Sequence, residues 1–236
     1  MSGDRVMRLT WEHVKLCHRE VADAGPAASV EYLADGDYRP AAEALLAGRN
    51  GKPVWLFAYG SLIWKPEVPH EDMKRATARG WHRAFSMQIR RYRATEDQPG
   101  YMMCLDRGGC CDGVVLRLPS HGLADVMEKL LRRELSRRHA LEGVRWIDVE
   151  TEEGPLQALA FYAAPALLDY YSPGRSLDEV ARGLARACGH WGSGAEYVFN
   201  TVVHLEQLGI HDEGLWALQE KLAREIETLY GFATKP

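Results

Sequence analysis

One glutamate falls on the apolar side of a predicted helix, a position that points to acid–base chemistry. The segment LADVMEKLLRREL, residues 123–135, has an apolar stripe formed by Leu123, Met127, Leu130 and Leu131. Glu134 follows these residues by 11, 7, 4 and 3 positions, which at about 100° per residue places it on the same stripe. Burial makes a carboxylate a stronger base, so Glu134 is a candidate general base. The alternative is a structural glutamate beyond the helix end or paired with Arg137 or Arg138.

The second candidate is a loop that ends an apolar strand. The sequence FAYGSLIW, residues 57–64, becomes polar at Tyr59, Gly60 and Ser61 and apolar again at Leu62. Since Gly60 has no Cβ, the backbone can turn there and approach a ligand closely. The amides of Gly60, Ser61 and Leu62 are therefore candidate donors to a carboxylate or to a developing oxyanion. The alternative is an ordinary turn between two elements.

Composition restricts the classes of protein that these residues could serve. The chain has 236 residues, 46% of them hydrophobic and 26% charged, which is typical of one large globular domain or two small ones. The net charge of −4 argues against a nucleic-acid partner. The five cysteines include no C-x-x-C pair, so we expect a cytoplasmic protein without a metal site. No apolar run has the length of a signal peptide core or a membrane span, so we expect no membrane partner.

The strands that must position these candidates are predicted from short apolar runs. Residues 1–50 are predicted to be an N-terminal helical extension, with Pro40 at the first position of a helix. Residues 51–236 are predicted to be one domain that ends in helices. Six runs predict its strands: VWLFAY, WHRAFSMQ, YMMCL, GVVLRL, VRWIDVE and LQALAFYA.

The helices of this domain are predicted from apolar periodicity and capping residues. Besides residues 123–135, we expect helices after the capping box of Ser176 and Glu179, at residues 195–208 and at residues 213–229. Because the strands come first and most helices follow, the sequence predicts an α+β fold. Five arginines lie between residues 79 and 93: Arg79, Arg83, Arg90, Arg91 and Arg93. They form either a solvated basic strand or an electrostatic collar, that is, a ring of positive charge that attracts the carboxylates of an anionic peptide.

Several motifs occur along the middle of the chain in a recognisable order. YGSLIWKP is followed by RATEDQPG, GVVLRLP, RREL, SLDEVA and GAEYVFN, all between about Val54 and Leu208. This order resembles the ChaC-type, glutathione-specific γ-glutamylcyclotransferases. The resemblance implies a small mixed β-barrel or sheet with flanking helices, and an enzyme without cofactor or metal. The implied reaction is attack by the α-amine of a γ-glutamyl group on its own γ-carbonyl, which converts glutathione to 5-oxoproline and cysteinylglycine.

The resemblance also implies which residues form the site. It gives the catalytic role to Glu134, the residue already found on the apolar stripe. It implies that a small-molecule substrate is bound by Tyr59, Gly60, Ser61, Leu62, Arg93, Tyr171 and Tyr197. The oligomeric state is left open.

The chain departs from the family pattern around the expected pocket. The family usually reads S-T-D-H-R-G where this chain has residues 89–94, and Asp112 stands where an aromatic residue is usual. A basic stretch, SRRHALEG at residues 136–143, is inserted after the Arg–Glu pair. These departures keep two alternatives open. One is a cyclotransferase for another γ-glutamyl amide or amine, and the other is a non-enzymatic regulator with residues 1–50 and 136–143 as partner surfaces.

Overall fold

The structure is a computed structural model, and it describes residues 6–28, 30–49, 51–164 and 170–231. Its strands are β1 (Trp55–Ala58), β2 (Asp72–Ile89), β3 (Gly100–Arg117), β4 (Val144–Thr151), β5 (Gly154–Phe161), β6 (Cys188–Gly189) and β7 (Gly192–Ser193). Its α-helices are α1 (Trp11–Cys17), α2 (Asp35–Leu46), α3 (Ser61–Trp64), α4 (Leu123–Glu134), α5 (Leu177–Arg186), α6 (Gly194–Gln207) and α7 (Glu213–Tyr230). A 3₁₀ helix spans Arg138–Gly143.

The five longer strands close into a barrel in the order β1-β3-β2-β4-β5. β1 runs antiparallel to β3, with Ala58 opposite Val114, and parallel to β5, with Leu56 opposite Leu159. β4 and β5 form an antiparallel hairpin, while β6 and β7 pair separately. This mixed barrel, together with the helices, confirms the predicted α+β fold.

The chain divides into two compact units. The barrel unit contains Gly25–Ala84 and Cys104–Tyr171, and α2 packs on α4 within it. The helical unit contains the described residues up to Ala24, Phe85–Met103 and those from Ser172 onward, and α1 packs there on α6 and α7. The predicted domain boundary at residue 50 stays a prediction.

Most of the predicted helices are confirmed. α4 ends at Glu134, and α6 and α7 lie within one residue of the predicted bounds. α5 begins after Ser176, whose hydroxyl accepts a hydrogen bond from the amide of Glu179. The carboxylate of Glu179 accepts one from the amide of Ser176 at 3.0 Å, which completes the predicted capping box.

The predicted helix start at Pro40 was wrong. α2 begins at Asp35, and Pro40 lies inside the helix. The carboxylate of Asp37 accepts a hydrogen bond from the amide of Ala34 at 2.8 Å, so acidic residues before the proline stabilise the helix start. Pro40 is tolerated because its missing N–H removes only one hydrogen bond near the N-terminal end of the helix.

The predicted break between YMMCL and GVVLRL was also wrong. Both belong to β3, which continues through the pair Cys110–Cys111. Gly108 and Gly109 have φ angles of 97° and 72°, a conformation that glycine adopts easily. The two glycines therefore allow β3 to continue through this part of the chain.

The cysteines are all free thiols, and only Cys110 is exposed. Across the described ranges, no helix is long and apolar enough to cross a membrane. In that same part of the chain, no three His, Cys, Asp or Glu side chains are grouped so that they could hold a metal ion.

Gly113 permits the close approach of β1 and β3. A Cβ atom at this position would lie 2.5 Å from the carbonyl oxygen of Ala58 and 3.1 Å from the ring of Phe57. We therefore expect Gly113→Ala to lower the free energy of unfolding by about 1–3 kcal/mol, the usual cost of overpacking. Urea unfolding measures this cost. Gly36→Ala is the control, because its added Cβ meets no atom within 4 Å; equal stability of the Gly113→Ala and wild-type proteins would contradict the close approach.

Candidate functional site

Tyr59 fixes the end of β1 in the barrel unit. The side chain is buried, and its hydroxyl donates a hydrogen bond to the carbonyl of Phe161 at 2.9 Å. Its own carbonyl accepts a hydrogen bond from Nε of Arg83 at 2.7 Å. Contacts from two other strands of the barrel, β5 and β2, therefore hold the residue that opens the loop.

The loop passes directly from Tyr59 into α3. Gly60 is the buried N-cap residue, and its carbonyl accepts a hydrogen bond from the amide of Ile63 at 2.9 Å. Ser61 and Leu62 are the first two residues of the helix. Amides in a first helical turn have no acceptor within the helix, so their geometry suits an external oxygen.

Glu134 is the last residue of α4, and its side chain is 22% exposed. The helix buries Met127, Leu130 and Leu131, as the apolar stripe predicted. The glutamate lies at the edge of this buried face rather than deep within it. Its Oε1 accepts a hydrogen bond from Nη1 of Arg133, so the ion pair is not formed with Arg137 or Arg138, the partners that the structural alternative named.

Arg133 connects the carboxylate to the loop. Its side chain is 12% exposed, and Nη2 lies 3.5 Å from Oγ of Ser61 while Nη1 contacts Glu134. Nη2 also donates to the carbonyl of Lys65, and Nε donates to Glu67 at 3.1 Å. The structure thus brings Glu134 and the Ser61 loop together through one side chain. Arg133 belongs to the RREL motif, but its position in the sequence did not indicate this role.

The charge of Arg133 is balanced from two sides. Burial alone would raise the pKa of Glu67, but the hydrogen bond and charge of Lys65, and then Arg133, outweigh it and lower this pKa below its usual value. Glu67 is therefore an ionised partner of Arg133, and Glu134 contacts the same guanidinium.

Tyr171 also lies in the barrel unit, where its hydrogen-bond partner is Asp106. Its hydroxyl donates to the carboxylate of Asp106, with 2.8 Å to each oxygen. Burial, and then Asp106, raises the pKa of Tyr171 to about 12. The phenol is therefore neutral at physiological pH, and its direction is set by Asp106, a residue that sequence analysis did not single out.

Arg93 and Tyr197 lie together in the helical unit. Nη1 of Arg93 donates to Glu196 at 2.9 Å and to the carbonyl of Ser193 at 3.1 Å. The guanidinium also lies 5.7 Å from the ring centroid of Tyr197, which is buried and packs edge-on against Phe85. Glu196 was missed as a partner, although it precedes Tyr197 in the GAEYVFN motif.

The arginines between residues 79 and 93 have acidic or carbonyl partners. The contacts are Arg79–Glu150, Arg83–Tyr59 carbonyl, Arg90–Glu96, Arg91–Asp23 and Arg93–Glu196. Carboxylates pair with four of these arginines, which argues against a collar of unbalanced positive charge. Arg90, Arg91 and Arg93 lie beyond the end of β2, and the Arg93 side chain is only 11% exposed, so these residues are not a solvated strand either.

Known proteins resemble this chain in sequence and in fold. A family model described as ChaC-like protein matches residues 54–225. Glutathione-specific gamma-glutamylcyclotransferase of Escherichia coli (strain K12) is 35% identical over 164 residues, which cover 69% of this chain and 70% of the relative. Glutathione-specific gamma-glutamylcyclotransferase 1 of Rattus norvegicus is 28% identical, with 81% and 89% covered. A crystal structure of the yeast γ-glutamylcyclotransferase specific to glutathione has the same fold, with a TM-score of 0.64, 21% identity, and coverage of 73% of this chain and 96% of that chain.

Proposed function

Since this chain belongs to the ChaC-like protein family, we propose that it is a γ-glutamylcyclotransferase that cleaves glutathione to 5-oxoproline and cysteinylglycine. The names of the bacterial and rat relatives support glutathione as the substrate. The observation that carries the proposal is the double contact of Arg133 with Glu134 and Ser61. These contacts join a carboxylate to a strand-end loop within one compact unit, and they support the proposed reaction.

Glu134 is the general base of the proposed reaction. The α-amine of a peptide has a pKa of about 8, so most of it is protonated at neutral pH and must lose a proton to attack. The ammonium form first loses one proton to solvent, and Glu134 then accepts a second proton from the neutral amine as its nitrogen bonds to the γ-carbon. The same carboxyl group then donates a proton to the nitrogen of cysteinylglycine as the amide bond breaks. The carboxylate is restored, so the cycle needs no cofactor.

The loop stabilises the charge that develops during ring closure. Attack on the γ-carbon moves negative charge onto the γ-carbonyl oxygen, and backbone amides directed at that oxygen stabilise it. The amides of Gly60, Ser61 and Leu62 supply such donors. Holding the substrate folded back on itself makes the attack unimolecular, and orientation alone can contribute about 7–11 kcal/mol.

The remaining substrate contacts are proposed from the family resemblance. We propose, as the resemblance implies, that Tyr59, Arg93, Tyr171 and Tyr197 contact the substrate. The free state of all five cysteines supports a cytoplasmic location, where thiols stay reduced. We also propose that residues 1–50 form an N-terminal helical extension and that residues 51–236 form the main domain.

Product analysis tests the proposed function. Purified protein is incubated with glutathione, glutathione disulfide, γ-glutamylcysteine and γ-glutamylalanine, and the products are measured by mass spectrometry. We expect 5-oxoproline and cysteinylglycine in equal amounts from glutathione, and slower turnover of the other compounds.

Glutathione acetylated on its α-amine is the control, because it has no nucleophile and must remain intact. Release of free glutamate would indicate hydrolysis in place of cyclisation. Faster turnover of another γ-glutamyl compound would indicate that this compound, and not glutathione, is the preferred substrate. If no compound is turned over, the result would favour a non-enzymatic regulator.

A further inference from the structure

We infer that residues 31–38 position Glu134 by holding the chain on the C-terminal side of this base; the inference rests on the proposed function. We call residues 31–38 the anchor segment. The anchor segment pairs with the chain that follows α4, because Tyr32 forms an antiparallel bridge with Arg137. The amide of Leu33 donates to the carbonyl of Ser136 at 3.0 Å, and the amide of Arg138 donates to the carbonyl of Glu31 at 3.1 Å.

The location of Glu134 explains why such support matters. Glu134 is the final residue of α4, and Leu135 already has the extended angles φ −122° and ψ 119°. The last carbonyls of a helix have no donor within the helix, and helix ends therefore fray. A general base must be held within about 0.5 Å of its productive position, so a base at a helix end needs contacts from outside the helix.

Tyr38 supplies the most direct contact. Its hydroxyl donates a hydrogen bond to the carbonyl of Leu135 at 3.0 Å, and both residues are buried. This carbonyl belongs to the peptide unit between Leu135 and Ser136, one residue beyond Glu134. The hydrogen bond thus restrains the backbone next to the residue that carries the carboxylate. Tyr38 is a positioning residue in this account, because it acts on the substrate only through Glu134.

Charged contacts extend the anchor on both sides of Glu134. Two residues before it, Arg132 donates to the carboxylate of Asp35 at 2.8 Å and to its carbonyl at 3.0 Å. The guanidinium of Arg132 also lies 4.4 Å from the ring centroid of Tyr38. Beyond Glu134, Arg138 pairs with Glu31 at 2.7 Å and with Asp37 at 2.8 Å. Each exposed pair contributes little stability alone, but together they define the position of one segment on the other.

The anchor also accounts for two stretches that the family motifs leave unexplained. The anchor segment precedes the family match at residues 54–225, and its partners include the beginning of the insertion at residues 136–143. If the protein were a non-enzymatic regulator, these stretches would be surfaces for a partner protein. In the structure, residues 31–33 instead contact residues 136–138. Arg133 on the loop side and the anchor segment on the far side therefore restrain Glu134 from two directions.

Tyr38→Phe tests the positioning role by removing one hydroxyl group. We expect kcat for glutathione to fall about tenfold with KM within about twofold of wild type, because misplacing a catalytic group lowers kcat more than substrate binding. Tyr32→Phe is the matched control from the same segment. Its hydroxyl accepts only the amide of Ala27 among the contacts described here, at 3.1 Å, and the variant keeps the backbone bridge. It is expected to keep wild-type kcat.

A double variant separates positioning from a purely structural role. If Tyr38 acts through Glu134, Tyr38→Phe should have little effect on the residual kcat of the Glu134→Gln protein. If the two residues act independently, the losses of kcat caused by the two substitutions should instead combine in the double variant. A structural role would instead lower the melting temperature and the active fraction while the kcat per folded molecule stays at the wild-type value. That outcome, or equal tenfold losses in both backgrounds, would overturn the inference.

The failure of this inference differs from the failure of the proposed function. Absence of cyclotransferase activity in the wild-type protein, or full activity of Glu134→Gln, would remove the proposed function. Wild-type kcat in Tyr38→Phe together with an inactive Glu134→Gln would remove only the positioning role. If Tyr38→Phe does not fold, Arg132→Gln is the second variant, since it removes the contacts with Asp35 and Tyr38; unchanged kcat in that protein would overturn the inference.

Discussion

Glu134→Gln is expected to lower kcat for glutathione about 100-fold or more, the usual effect of removing a general base. Glutamine keeps the size of the side chain and an oxygen that can accept the hydrogen bond from Arg133, but it cannot accept a proton at neutral pH. Substrate affinity should persist, because the loop amides and Arg93 are unchanged. The release of 5-oxoproline measures kcat, and calorimetry with glutathione measures affinity.

Stability separates this role from that of a structural ion pair. Glu134 and Arg133 are 22% and 12% exposed, so solvent still weakens their attraction. We expect the variant to lose no more than about 1 kcal/mol of unfolding free energy, the upper range for a solvent-screened pair. A purely structural Glu134 predicts the opposite pattern, in which activity falls only as far as the folded fraction falls.

The matched control for Glu134→Gln lies on the same helix. Glu128 is 23% exposed and pairs with Arg132 at 2.8 Å, so it has nearly the same exposure and the same kind of partner. Glu128→Gln should therefore reproduce the electrostatic change without removing the base. We expect its kcat to remain within about twofold of wild type, since surface ion pairs contribute little. Equal losses in the two variants would contradict the assignment of Glu134.

The sequence could predict features that depend on local physics. The spacing of Leu123, Met127, Leu130 and Leu131 predicts which face of α4 is buried, and Glu134 lies at the edge of that face. The capping box at Ser176 is likewise a contact between residues three positions apart. Such contacts are visible in the sequence because the period of the helix relates the residues to one another.

Contacts between distant residues could not be predicted in this way. Tyr38 and Leu135 are 97 positions apart, and Arg133 and Ser61 are 72 positions apart. No periodicity relates such pairs, and their contact depends on how the barrel unit brings α2, α3 and α4 together. The glycines in β3 show a related limit. Glycine permits both a turn and a continuing strand, and only pairing across the barrel determines that β3 continues.

Gly60→Val is expected to abolish turnover while leaving the secondary structure close to that of the wild-type protein. Gly60 is a buried N-cap residue between β1 and α3, and its branched replacement would occupy the space through which a substrate oxygen reaches the loop amides. Gly60→Ala should have an intermediate effect, because its Cβ is smaller and unbranched. Circular dichroism and thermal unfolding show whether each variant is folded before its kcat is measured.

Glutathione affinity in Gly60→Val distinguishes the two roles that the loop amides can have. If the amides bind the glutamyl carboxylate, affinity falls together with kcat; if they stabilise only the oxyanion, affinity persists while kcat is lost. Gly214→Val, in the first turn of α7, is the control for placing valine near a helix start, and it should keep wild-type turnover. Near-normal turnover in a folded Gly60→Val protein would show that the loop is an ordinary turn, because a valine Cβ would then be compatible with the approach of substrate.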